Sequence, residues 1–143
     1  MKPPTATSHL AKTPRRTLPG QRQTRQRALV YDVVKRARGP LTVPEIHTMV
    51  QHTMPQTGIA TVYRAVKLLL ESKWLEAVTL PSGETRYECA DMGHHHHFQC
   101  RICGEVFDID HCPVELPQGA ELPGGFILHD HEITLYGLCP HCR

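Results

Sequence analysis

Aromatic side chains are scarce in this 143-residue chain, at 6%, which argues against a base-stacking platform of the kind that grips single-stranded nucleic acid. No apolar run approaches the roughly 18 residues of a membrane span. Prolines and polar residues, not an apolar stretch, follow the basic N-terminus, so the sequence predicts no signal peptide, no membrane association and a cytoplasmic location. The H-E-x-x-H signature, Gly-rich phosphate loops and a defensible Ser/His/Asp order are all missing, so no enzyme activity and no small-molecule substrate are expected.

Histidine and cysteine are plentiful instead, with eleven His and six Cys. Six Cys in a secreted chain would suggest three disulfides, whereas in a cytosolic chain they suggest metal. The net charge of +2 hides a division. Residues 1–38 hold ten Lys/Arg and one acid, and residues 39–143 hold six Lys/Arg and thirteen acids. A basic front half joined to an acidic, His/Cys-rich back half reads as a polyanion reader joined to a cation binder.

Residues 1–20, rich in Pro, Thr and basic side chains, read as a mobile arm. Helical periodicity begins after Thr24, an expected N-cap, with Leu29, Val30, Val33, Val34 and Ala37 inward, and Gly39-Pro40 ends it. Thr42-Val43-Pro44-Glu45 has the form of a capping box opening a second helix, with Ile46, Met49 and Val50 on its buried face. A third helix is predicted from Ile59 to Ser72, with Val62, Val66, Leu69 and Leu70 inward. Strands over Leu75–Leu80 and Thr85–Cys89, joined at Pro81-Ser82-Gly83-Glu84, complete the layout of a winged helix, whose last helix enters the major groove. Thr61, Tyr63 and Arg64 are the candidate DNA contacts on that helix, and Arg22, Arg25 and Arg27 could reach phosphate. Beyond His94, strands are predicted at His97–Arg101, Val106–Ile109, Phe126–His131 and Ile133–Leu138. Between them the Pro/Gly-rich 113–125 segment leaves room for at most a short helix.

Two constellations carry metal chemistry. Cys100-x-x-Cys103 and Cys139-x-x-Cys142 can supply four thiolates to one closed tetrahedral zinc site, and such a site contributes directly to folding. The second constellation is Cys89 followed by His94, His95, His96 and His97. Alternation along a strand sends His95 and His97 to one face and His94 and His96 to the other. Cys89 with His95 and His97 makes a sulfur/nitrogen set that suits zinc. Glu76 is the candidate fourth ligand, with Glu88 a competitor that alternation places opposite Cys89. For the His94/His96 face, His131 and Glu115 are candidates, with His111, Cys112 and His129 in reserve.

At this point the residues resemble the ferric uptake regulator family of metal-responsive bacterial repressors. The marks are Ile59-Ala60-Thr61-Val62-Tyr63-Arg64, the His94–His97 run ahead of Cys100, and Tyr136-Gly137-Leu138-Cys139, within a match over roughly 21–143. The resemblance implies an α+β fold, with a winged-helix DNA-binding domain over 21–89 and a metal-binding α/β dimerisation domain over 90–143. It also implies a homodimer on palindromic double-stranded promoter DNA of metal-uptake genes. Structural zinc would fall on Cys100, Cys103, Cys139 and Cys142. The regulatory hinge site would fall on Glu76, Cys89, His95 and His97, and a third site on His94, His96, Glu115 and His131. DNA contacts would fall on Tyr63, Arg64 and Arg22. Pro40 stands where iron- and peroxide-sensing members usually place a His, and Cys89 where they use a carboxylate. Both features resemble the zinc uptake regulator branch and make zinc the expected regulatory ion, with manganese(II) or iron(II) the alternatives.

Overall fold

The computed structural model describes residues 25–143. The arm over 1–20, the Thr24 cap and Arg22 lie outside the described residues. The first helix, α1, runs over Arg25–Arg36. The second, α2, spans Val43–Thr53. It opens on the expected capping box: the Thr42 side chain accepts from the Glu45 amide while the Glu45 carboxylate accepts from the Thr42 amide. This satisfies two amides that the first helical turn otherwise leaves unpaired. The third, α3, covers Ile59–Glu71 and buries Val62, Ala65, Val66 and Leu69. These side chains meet Val30 and Val34 of α1 and Ile46 and Val50 of α2 in one apolar core.

The wing is an antiparallel pair, β1 (Leu75–Thr79) and β2 (Thr85–Cys89), in a register that sets Glu76 opposite Glu88 and Leu75 opposite Cys89. Gly83 closes the turn at φ 87°, a conformation that costs glycine little. Leu41 adds a bridge to Tyr87 through two backbone hydrogen bonds. Arg86, 5% exposed, points inward from β2. It is held by the carboxylates of Glu84 and Glu45 and by the Pro40 carbonyl, so the wing is tied to the start of α2.

The C-terminal half is built on a three-stranded sheet in the order β4-β3-β7. Here β3 is His96–Cys100, β4 is Val106–Ile109 and β7 is Thr134–Gly137. β3 and β4 are antiparallel, whereas β3 and β7 run parallel with Cys100 beside Gly137. A parallel neighbour needs a crossover connection, and this one contains a two-residue-stranded hairpin, β5 (Glu121–Leu122) with β6 (Phe126–Ile127). Two expectations are corrected here. The 113–125 segment forms part of a hairpin, with glycines at positive φ at 119, 124 and 125 making its turns. The strand expected over Phe126–His131 stops at Ile127, so His131 sits in the loop ahead of β7.

The two halves touch where α1 ends. The Asp108 amide donates to the Arg38 carbonyl at 2.8 Å. Gly39 lies so close to β4 that a Cβ there would stand 2.2 Å from the Val106 carbonyl oxygen. Backbone on both sides leaves no flexible atom to give way. Gly39→Ala is therefore expected to destabilise the chain by about 1–3 kcal/mol, the range typical of overpacking. A urea titration followed by far-UV circular dichroism checks this, and an unchanged midpoint would refute the close approach.

Candidate metal centres and nucleic-acid interface

The parallel pairing of β3 with β7 explains how two Cys-x-x-Cys turns separated by 35 residues come together. Cys100 ends β3, Cys139 follows β7, and the ligand atoms of Cys100, Cys103, Cys139 and Cys142 all lie within 4.8 Å of one another. All six cysteines are free thiols, so the disulfide alternative is not realised. The Cys139 amide donates to the Cys100 sulfur at 3.4 Å. The backbone amides of Cys103 and Cys139 pull the Cys100 thiol below its ordinary value, which favours the thiolate that a metal needs.

The alternation expected of the histidine run is present. His95 and His97 meet on one face, and His94 and His96 on the other. The partners differ from expectation. The His95/His97 face closes with Glu88 and Asp108, all four ligand atoms within 4.8 Å. His97 Nε2 is 3.0 Å from Glu88 Oε2, and His95 Nε2 is 3.2 Å from Glu88 Oε1. Asp108 Oδ1 stands 3.7 Å from His97 Nε2 and 3.9 Å from His95 Nε2. His95 Nδ1 hydrogen-bonds the Gly93 carbonyl at 2.9 Å. A carbonyl only accepts, so Nδ1 carries the proton and, in the neutral ring, Nε2 turns its lone pair into the cluster.

The electrostatics of this cluster are those of a cation site. Burial works to raise the Glu88 carboxyl, but hydrogen bonding from His97 and the charges of both histidines hold it below the ordinary carboxylate range. Burial, then repulsion from Glu88, pushes Asp108 up to about 6. Asp108 Oδ1 is buried with no hydrogen-bond partner, a costly state for a carboxylate oxygen that a bound cation would relieve. The donors fit a first-row divalent metal.

Glu76 and Cys89 do not join this group. Glu76 sits across the wing from Glu88. Burial and the Glu88 charge raise its carboxyl, and it lines a cavity of about 380 Å³ beside the cluster. Cys89 is 9% exposed and faces the helical core. Burial raises its thiol. The physical reason is the pleat itself: adjacent residues point to opposite faces, and the two histidines lie on the Glu88 side. Asp108 was missed, although the register carried a signal for it. The Cys-x-x-Cys turn fixes Gln99 opposite Val106, and counting outward sets His97 opposite Asp108.

On the other face, His94, His96 and His131 converge with Cys112, again within 4.8 Å. Glu115 is exposed and lies outside this group. His96 is 1% exposed. Burial, then the neighbouring imidazoles of His94 and His131, lower its basicity.

The outer face of α3 presents a different surface. Tyr63 is 53% exposed and Ile59 41% exposed on the outer face of α3. Arg64 and Lys67 are exposed beside them. Arg64 Nη2 donates to Thr61 Oγ1 at 3.2 Å, which holds the guanidinium against the helix. Gly58 caps α3 without a side-chain hydrogen bond. The Thr61 amide bonds the Gly58 carbonyl at 3.1 Å, and the amides of Ile59 and Ala60 ahead of it face the helix N-terminus, where an anion such as a backbone phosphate is favoured.

These features coincide with known proteins. A model of the ferric uptake regulator family matches residues 19–136. The ferric uptake regulation protein of Bacillus subtilis (strain 168) is 30% identical over 120 residues, spanning 81% of this chain and 80% of its own length. The peroxide operon regulator of the same organism is 26% identical over 124 residues, spanning 86% and 85%. Among solved structures, a zinc-bound manganese uptake regulator shares the fold at TM-score 0.73 and 28% identity, covering 83% of this chain and 91% of that one. The winged helix, the histidine clusters and the paired cysteine turns thus sit in a known frame: the chain belongs to the ferric uptake regulator family of metal-responsive transcription regulators.

Proposed function

We infer that the chain is a dimeric repressor of promoter DNA whose reading heads are positioned by a divalent ion at Glu88, His95, His97 and Asp108, with a structural zinc on the four cysteines. The observation that carries this reading is the buried oxygen of Asp108, without a hydrogen bond, facing two imidazoles and a second carboxylate. A bound ion would supply positive charge shared by all four side chains. Glu88 comes from the wing, the two histidines precede or lie on β3, and Asp108 is on β4 with its amide bonded to the Arg38 carbonyl just beyond α1. A set drawn from those elements fixes the angle between the winged helix and the sheet below it. Only one such angle lets two reading helices meet half-sites about one helical turn apart. Linkage then requires DNA to raise the affinity for metal by the same factor that metal raises the affinity for DNA.

Donor chemistry revises the choice of ion. Zinc was expected at this site because Cys89 was counted as a ligand. With Cys89 turned into the helical core, the set is two imidazoles and two carboxylates, a combination open to manganese(II) and iron(II) as well as zinc. We place manganese(II) or iron(II) first as the regulatory ion. The likeness to a manganese uptake regulator supports this order. Zinc is the second reading, favoured by its greater intrinsic affinity for nitrogen and oxygen donors.

The test is recovery of host genomic fragments by protein held at buffered free manganese(II), iron(II) or zinc, or in chelator. Enrichment of a few palindromic promoter sites with metal supports the reading, and the ion that gives it at the lowest free concentration is the regulator. Equal recovery with and without metal would overturn it. On the same operator, Arg64→Ala is expected to weaken binding by about 1–3 kcal/mol if the guanidinium reads a base. The metal content of that variant should stay unchanged, and fluorescence anisotropy at fixed salt measures the loss.

A further inference from the structure

Arg86 is the one Lys or Arg between Leu75 and Cys89, a stretch that also holds three acids. It is buried, so its charge is directed inside the protein rather than at a DNA phosphate. What it faces is the turn between α1 and α2. Arg86 Nη1 donates to the Pro40 carbonyl at 3.2 Å and to Glu45 Oε2 at 3.0 Å, while Nε donates to Glu84. Glu45 Oε2 also accepts from the Thr42 amide at 2.7 Å, so one carboxylate joins the guanidinium to the cap of α2. The other side of the same turn rests on β4. The Arg38 carbonyl accepts from the Asp108 amide, and Gly39 packs against the backbone of Val106 and Phe107. The turn is thus held between β2 and β4, and each of these strands carries one carboxylate of the Glu88/His95/His97/Asp108 cluster. Glu88 stands two residues beyond Arg86, on the same face of β2.

We propose that Arg86 is a positioning residue for metal-controlled DNA binding: its guanidinium carries the spacing of β2 and β4, set by the ion at Glu88 and Asp108, into the α1–α2 turn and so into the placement of α2 and α3. This rests on the reading that an ion at that cluster controls DNA binding, and it names the side chain that passes the effect on. An ion shared by Glu88 and Asp108 fixes how far β2 stands from β4. The turn between them follows that spacing only if both strands grip it. β4 grips it through the backbone. β2 grips it through the Leu41–Tyr87 bridge and through Arg86. A two-residue bridge lets the turn pivot, whereas a planar guanidinium fork fixes the direction of its acceptors. Ile46 and Val50 of α2 share the core with Val62 and Leu69 of α3, so a turn held in place holds the outer face of α3 with it. Stability alone does not explain the residue, since a buried ion pair gains little over an apolar side chain of similar volume.

The experiment uses the full chain with zinc retained on the four cysteines and a duplex carrying a promoter site recovered from genomic fragments. Anisotropy measures operator affinity in manganese(II) and in chelator, and the ratio of the two is the coupling factor. Isothermal titration measures manganese(II) affinity with and without the duplex. Arg86→Met removes the charge and the fork, and water can take up Glu45 and Glu84, whose side chains are 40% and 44% exposed. The variant should bind manganese(II) like the parent when free of DNA. Its coupling factor should fall by about fivefold or more, a large part of the usual range, and linkage requires the same shortfall in the gain of manganese(II) affinity on DNA. Arg86→Lys keeps the charge without the fork and should lie between the two. Glu45→Gln leaves an oxygen for the Thr42 amide and should lower the coupling in the same direction, which gives the answer if Arg86→Met does not fold. A merely structural role would weaken operator binding equally with and without metal and leave the ratio unchanged. That unchanged ratio, or a loss of manganese(II) affinity in the DNA-free variant that accounts for the whole effect, overturns the proposal. A parent chain whose operator binding ignores metal overturns the repressor reading and this proposal together, whereas equal coupling in parent and Arg86→Met overturns this proposal alone.

Discussion

Cys100→Ser is expected to abolish zinc retention on the four-cysteine site and to lower the midpoint of thermal unfolding by more than about 10 °C, an effect large against the scale for domains of this size. Cys100 is 1% exposed at the end of β3, beside Gly137 of β7. Its sulfur accepts the Cys139 amide, so the residue is both a ligand and the point where the two cysteine turns join. A serine hydroxyl is a poor zinc ligand, and a site with three thiolates loses the closed tetrahedral shell on which structural zinc depends. Little else holds β7 in place. It is an edge strand of four residues, and Tyr136 and Leu138 around its end are 42% and 51% exposed. The winged-helix core of α1, α2 and α3 shares no residue with this sheet. Its helical circular dichroism should therefore outlast the loss of the sheet and appear as a second, higher transition. Elemental analysis and a thermal melt check both statements. Cys112→Ser serves as the control, since Cys112 is exposed and should leave zinc content at the four-cysteine site unchanged. A zinc-free Cys100→Ser chain melting like the parent would remove the structural role.

What was legible in the sequence follows from which interactions are local. The three helices, the Thr42–Glu45 capping box and both wing strands were readable because periodicity and caps are set within a few residues. The split of the four histidines between two faces was readable for the same reason, as the strand period is a local fact. The partners of each face were not. Asp108 depends on the register between β3 and β4, and Cys112 depends on how a Pro/Gly-rich crossover folds back, and both are matters of tertiary placement. Glu88 is the instructive case, because the alternation that excludes Cys89 from the histidine side is the same rule that separated His95 from His96. Applied to the β2 residues with the histidines as reference, it selects Glu88. Arg86 gave no sequence signal at all. A charged residue in the wing reads as solvated, and only the convergence of Glu45, Glu84 and the Pro40 carbonyl lets it lie buried.

Glu88→Gln and Cys89→Ala should therefore give opposite results. Glu88→Gln keeps the shape of a side chain that is 4% exposed but removes the carboxylate that both imidazoles share. Loss of an outer partner typically lowers metal affinity 10–100-fold, so loss of this direct donor should lower it by about 100-fold or more and remove metal-dependent operator binding. The four-cysteine zinc and the helical core should be untouched, because neither draws on Glu88. Cys89→Ala removes a sulfur that packs in the helical core. It should destabilise the winged helix by about 1 kcal/mol, the scale of one small buried group lost from the core, yet leave the metal response intact. Isothermal titration of zinc-retaining protein with manganese(II), paired with operator binding by anisotropy, measures both variants on the same scale. The reverse pattern, a silent Glu88→Gln and a metal-blind Cys89→Ala, would mean that β2 turns its sulfur toward the histidines when metal binds. The regulatory ion would then be zinc, for the reason of ligand softness first read from the sequence.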